Sequence, residues 1–207
     1  AASPASRSRL ASRRSRTVGA VVPTLDNPIF AHSPQAVQRA LAEAGYTLLL
    51  ASHEYDADTE FKVTRALVER GVDGLALVGT DHSPELYGFL ARSGVPFELT
   101  WAIDPGRHQH CIGFSNRLAS IRIAQHLLDL GHRDIAMVSG YTAHNDRARE
   151  RASGVREALA AHGIAMPADR YVETAFSVAS GRAALAALLA RAPAPTAIAC
   201  GNDLLAF

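Results

Sequence analysis

From Thr17 onward, short runs of β-branched and other apolar residues alternate with longer stretches whose apolar positions recur every three to four residues. The first kind of run predicts buried strands, and the second predicts amphipathic helices. Strands are expected at Thr17–Val22, 46–51, Gly74–Val78, 96–101, 111–114, 135–139, Tyr171–Thr174 and 196–200. Between them, Ser33 followed by Pro34 has the form of an N-cap with proline at the first helical position. Val37, Ala40, Leu41 and Ala44 then form the inner stripe and Gly45 the stop. Asp58 is the expected cap of the next helix, with Val63, Ala66, Leu67 and the stem of Arg70 inward, and Ser83-Pro84 opens a third. A helix beginning near Asn116 carries Leu118, Ile121, Ala124, Gln125 and Leu128 on one face. Helices are also expected over 146–162 and 178–191, with a last one starting at Leu204.

Strands separated by single helices cannot pair as hairpins, so they form parallel βαβ units with right-handed crossovers. Continuous apolar strands such as Gly74–Val78 fit a sheet covered on both faces. The pattern restarts near residue 111. The predicted fold is therefore α/β with two Rossmann-like parallel-sheet lobes: a basic segment over 1–16, a first lobe over 17–114 and a second over 115–207. Ligands of such sheets bind beyond the carboxyl ends of the strands. That rule selects Asp26, Ile29 and Phe30 after the first strand, Trp101 after the fourth, and Ser115 with Asn116 after the fifth. It also selects Asn145, Arg147 and Arg151 after the sixth, Phe176 after the seventh, and Asn202 with Asp203 after the eighth. Aromatic faces, amides, arginines and a carboxylate suit a small ligand rich in hydroxyls or carrying a carboxylate. Each position also has a plain structural reading: Phe30 and Phe176 as core, Arg147 and Arg151 as a solvated helix face with Glu150, and Asn202-Asp203 as a helix cap.

Composition narrows the class. The formal net charge of +1 conceals an asymmetry: five of the 21 basic residues are Arg7, Arg9, Arg13, Arg14 and Arg16, which leaves 16 against 20 acidic residues elsewhere. A basic arm on a mildly acidic body points to a polyanion near the amino terminus, with a Ser/Arg/Ala tail as the alternative. Cys111 and Cys200 form no CxxC, so a cytoplasmic setting without disulfides is the default. No apolar run approaches a membrane span, and the run over 18–22 is too short for a signal-peptide core. There is no GxGxxG after the first strand, no GxxxxGK[ST] and no GxSxG, and Lys62 is the single lysine. His108-Gln109-His110-Cys111 reads as a loop entering a strand rather than a metal cluster, and His132 as structural. No base, nucleophile and oxyanion site assemble, and no cofactor is implied. An enzyme is not expected.

Several motifs in order resemble the LacI/GalR family of transcription regulators. They are Arg16–Pro23 (as a first core strand), Asn27-Pro28-Ile29-Phe30, the stretch from Asn116 through Gln125-His126-Leu127-Leu128 to Gly131-His132-Arg133, Arg151-Ala152-Ser153-Gly154-Val155, and Gly201-Asn202-Asp203. The resemblance implies a periplasmic-binding-protein type of core in which a sugar, sugar acid or related effector binds between the lobes. Ile29 and Phe30 would contact it from the first lobe. Arg151, with Arg147 and Asn145 beside it, would clamp it from the second. Phe176 would be an aromatic wall, and Asn202 and Asp203 would supply hydrogen bonds. Ser115 stands where the family commonly has Asp. The resemblance further implies a homodimer, operator DNA as partner, and Leu10 as a hinge leucine flanked by Arg7, Arg9, Arg13 and Arg14. It also implies that a DNA-reading headpiece precedes this sequence and that the end of the second lobe follows it. A sugar-binding receptor of a transporter, with the same two-lobed core, is the alternative.

Overall fold

The computed structural model describes residues 14–106 and 109–207. The chain divides into two compact units, with the boundary between Ile112 and Gly113.

The first unit is a five-stranded parallel sheet in the order β2-β1-β3-β4-β5. Its strands are β1 (Thr17–Val22), β2 (Thr47–Ser52), β3 (Gly74–Val78), β4 (Phe97–Thr100) and β5 (Cys111–Ile112), joined by α1 (Pro28–Glu43), α2 (Ala57–Glu69) and α3 (Pro84–Ser93). Side chains alternate across a strand, so Val21, Leu75, Leu77 and Leu99 share one face. There they meet Leu67 of α2 and Leu86 and Leu90 of α3 in one buried cluster. On the opposite face Val22 and Val78 pack with Phe30. Gly19 leaves room for this packing: a Cβ there would lie 2.8 Å from Leu75 and 3.0 Å from Leu67 of α2.

The second unit is a three-stranded parallel sheet in the order β7-β6-β8. It comprises β6 (Ile135–Gly140), β7 (Tyr171–Thr174) and β8 (Ala197–Cys200), with α4 (Asn116–Asp129), α5 (Asp146–Ala161), α6 (Val178–Leu189) and the short α7 (Asp203–Ala206). All six residues of β6 are buried. Ile135 and Met137 face α4 and α5, whereas Ala136 and Val138 face α6 and Leu205 of α7. The sheet is thus covered on both sides of β6, which is why Ile135–Val138 reads as a continuous apolar run.

Three helix assignments are corrected. The first helix starts at Pro28, not at Ser33-Pro34: Asn27 is its N-cap, its side chain accepting from Ile29 N, and Pro34 lies inside the helix. Both prolines follow a capping-type residue, and the earlier pair fits because the strand exit ends there. The inner stripe expected on that helix is also displaced. Phe30 and Pro34 are buried, with Phe30 packed on Val22 and Val78, while Val37, Ala40 and Ala44 are exposed. The second helix is capped by Asp56, which accepts from Thr59 N, rather than by Asp58. Its buried positions are Glu60, Thr64 and Leu67. On α4 the buried positions are Asn116, Ser120, Ala124 and Leu128, and Leu118 is exposed. Small residues line that face because α5 crosses it closely: a Cβ on Gly154 would lie 2.3 Å from the Arg117 carbonyl oxygen.

Candidate functional site

Strand order places the candidate residues. In the first sheet the chain moves from β1 to β2 on one side and then returns to β3 on the other. In the second sheet β6 is flanked in the same way by β7 and β8. The crevice beyond the carboxyl ends at such a reversal is where open parallel sheets bind ligands. Each unit has its own such crevice end: the loops after β1 and β3 frame it in the first sheet, and the loops after β6 and β8 frame the separate one in the second sheet.

In the first unit, Asn27 closes the turn after β1 by capping α1, which fixes Ile29 and Phe30 on its first turn. Thr24, buried in the same turn, receives Asp26 N on its hydroxyl, and the Asp26 side chain is exposed. Phe30 is buried, and Ile29 is 41% exposed. Trp101 follows β4 with a left-handed backbone, φ 65. Its ring meets Phe30 edge to face at 5.9 Å between centroids. A bulky residue at positive φ carries strain that packing must hold in place. Glu54 and Tyr55 after β2 and His144 after β6 are likewise left-handed, so four such residues lie in loops leaving strand carboxyl ends. The structure therefore brings Phe30 and Trp101 together and keeps Asp26 and Ile29 accessible beside them.

In the second unit, Arg151 of α5 donates from Nη1 to Asn116 Oδ1 at 2.8 Å. This bond joins the start of α4 to the second turn of α5. Asn145 is enclosed. Its Oδ1 accepts from Ala148 N, capping α5, and its Nδ2 donates to the Tyr141 carbonyl. Arg147 is buried and ion-paired with Asp146 at 2.8 Å. The loop carrying these residues is tied to β7, because Glu173 accepts from Thr142 N and Oγ1 and from the Tyr171 hydroxyl. Burial opposes ionisation of Glu173, but these hydrogen bonds outweigh it and hold the carboxyl below its usual range. Burial likewise raises Tyr171. Phe176 lies flat on the end of β6: a Cβ on Gly140 would fall 1.9–2.4 Å from three of its ring atoms. Asn202 caps α7 by accepting from Leu205 N, and Asp203 is exposed on its first turn.

Two groupings thus form within the second unit, Asn116 with Arg151 and Phe176 with Gly140. Gly140, the floor that lets the ring sit there, was not singled out from sequence. Its only signal was a glycine at the end of a largely apolar strand. A buried set of His53, Glu60 and His82 at the strand exits of the first unit was also missed.

Of the basic arm, Arg14 lies within the described residues, and Arg7, Arg9, Leu10 and Arg13 lie outside them. Arg14 and Arg16 line a hollow of about 490 Å3 with Ala44 and Tyr46, next to the amino ends of β1 and β2. Among the described residues no group of three or more His, Cys, Asp or Glu could hold a metal ion, and no helix is long and apolar enough to cross a membrane.

The model for "periplasmic binding proteins and sugar binding domain of LacI family" matches residues 15–207. Over 208 residues the sequence is 34% identical to an HTH-type transcriptional regulator in the aml 5′ region of Streptomyces limosus, covering 96% of this chain and 58% of that protein. The chain therefore spans less than two thirds of that curated relative. The crystal structure of transcription regulator GntR from Chromobacterium violaceum superposes with a TM-score of 0.83 at 30% identity, covering 92% of this chain and 69% of that one. A complex of the transcriptional regulator CelR with cellobiose gives 0.79 at 27% identity, covering 99% of this chain and 67% of that one. The family model covers nearly the whole described chain, from Ser15 to Phe207, and the chain belongs to the family of periplasmic binding proteins and LacI-type sugar-binding domains.

Proposed function

We propose that this chain is the effector-sensing part of a transcription regulator, most simply a repressor, of carbohydrate or sugar-acid catabolism. The observation that carries this reading is the recurrence of one chemistry at the strand exits of both units. Phe30 and Trp101 offer aromatic faces in the first, and Arg151 on Asn116, with Phe176 and Asp203, offers a charged fork, a ring and a carboxylate in the second. A sugar presents an apolar ring face and a rim of hydroxyls, and that combination meets both needs. The regulators that the chain resembles, one of them in complex with cellobiose, support a sugar-type effector over a catalytic role.

The signal travels as a two-state equilibrium. An effector shifts it only by its difference in affinity for the two states, typically about 1–3 kcal/mol of coupling. In this reading the output is operator DNA, approached by the basic arm of Arg7, Arg9, Arg13 and Arg14 with Leu10 as a minor-groove wedge, and the working unit is a cytoplasmic homodimer. A transporter receptor is the lesser reading, since the relatives above are regulators.

A thermal-shift screen of sugars, sugar acids and purines tests the proposal, followed by calorimetry with the best hit. Arg151→Ala is expected to weaken that ligand by tenfold or more, about the contribution of one charge-assisted hydrogen bond, with the fold intact by circular dichroism. Unchanged affinity removes Arg151 from the site. No stabilising compound in any of the three classes counts against the sugar-effector reading.

A further inference from the structure

Glu60 is an acid inside the protein. It lies on the first turn of α2 with its side chain only 7% exposed. His82, in the loop after β3, has a side chain 1% exposed and places Nδ1 3.0 Å from Glu60 Oε1. The other ring nitrogen, Nε2, lies 3.1 Å from the Gly79 carbonyl oxygen. His53, from the loop after β2, brings its Nε2 to 3.5 Å from the same Glu60 oxygen.

Counting donors decides the proton content. A backbone carbonyl only accepts, an ionised carboxylate only accepts, and a neutral imidazole has a single N–H. A neutral His82 beside an ionised Glu60 would satisfy one of its two contacts and set lone pair against lone pair at the other, where both side chains are screened from water. One more proton removes the conflict. An imidazolium donates to both acceptors, or a protonated Glu60 donates to Nδ1 while Nε2–H donates to Gly79.

We infer that the Glu60–His82 pair holds this additional proton at neutral pH and that the proton fastens the loop after β3 to α2. The loop belongs to the crevice where the first sheet reverses strand order, so the edge of the candidate site is set by a proton. Other titratable or charged groups stand on the elements that meet at the pair. His53 and Tyr55 come from the loop after β2, Asp56 and Lys62 from the start of α2, Asp81 from the His82 loop, and Tyr87 from α3, with its ring 5.5 Å from that of His82. The bearing of this latch on ligand binding rests on the effector reading above. The proton itself can be measured without a ligand.

The sign follows from linkage. An unfolded histidine releases its proton near pH 6.5. Above that pH the unfolded chain binds fewer protons than the native one, so the latch stabilises fully below it and its contribution is lost as pH rises. In urea titrations of the whole chain between about pH 6 and 9, the unfolding constant of wild type should rise by up to about tenfold per pH unit relative to Glu60→Gln. In that variant the amide donates to Nδ1 and no additional proton is needed. Parallel pH dependence in wild type and Glu60→Gln would overturn the inference. Should the variant not fold, ring-nitrogen and carboxyl NMR of the wild type at pH 7 decides. Hydrogen on both His82 nitrogens, or on Nε2 with a protonated Glu60, supports the latch. A bare ring nitrogen beside an ionised Glu60 refutes it.

Discussion

Gly140 is where a single missing methyl group shapes the candidate site. The Phe176 ring occupies the space a Cβ would need, and it reaches the end of β6 only because none is there. Gly140→Ala should therefore displace the ring at about 1–3 kcal/mol of stability, the usual range for forced overpacking. In a Phe176→Leu background the same substitution should cost less, and a double-mutant cycle from denaturant midpoints measures the difference. A second residue-scale contact has a pH signature. Arg170 meets both Asp134 oxygens, at 2.7 and 2.8 Å, and the Pro193 carbonyl. The Arg170 hydrogen bonds hold the Asp134 carboxyl below its usual value. A depressed acid stabilises above its unfolded value of about 3.9 and stops doing so as pH falls through the native one. Asp134→Asn should thus have a lower melting temperature at pH 7, and the gap should close as the solution is acidified below that value.

At the scale of elements, the α4–α5 crossing depends on Gly154. The atom nearest its absent Cβ is a backbone oxygen, which cannot rotate away as a side chain can. Gly154→Ala should reach the upper end of about 1–3 kcal/mol, read as a lower urea midpoint. Elements were the most legible part of the sequence. Short apolar runs marked the central strands most clearly, and Thr17–Val22 and Gly74–Val78 match to the residue. Helix starts were less legible where two capping signals compete within a few residues: Asn27-Pro28 against Ser33-Pro34, and Asp56 against Asp58. Choosing between them needs the position of the preceding strand's end, which is tertiary information. Strand-exit residues could be selected by rule. That Asn145 would use both ends of its amide on backbone groups, or that Trp101 would stand at positive φ against Phe30, was not legible, because neither leaves a spacing pattern. Glu60 was invisible for a related reason: an acid on a helix reads as solvated unless its partners, distant in sequence, are known.

At the scale of the whole molecule, the entry of the chain into the first sheet is tied down. Asp73, just before β3, accepts from Ser15 N and Arg16 N at 2.9 and 2.8 Å and from the Ser15 hydroxyl at 3.2 Å, and its own N–H donates to the Thr17 carbonyl. Burial disfavours its charge, but the Ser15 and Arg16 bonds prevail and keep the carboxyl below its usual range. In Asp73→Ala the amides of Ser15 and Arg16 should exchange with solvent markedly faster, while those within β1 stay protected, as hydrogen-exchange NMR would show. A strand anchored this way has no slack at its root. Three bonds to one carboxylate fix Ser15 and Arg16 to the residue that precedes β3, so the first described residues of the chain and the middle of the sheet form one piece.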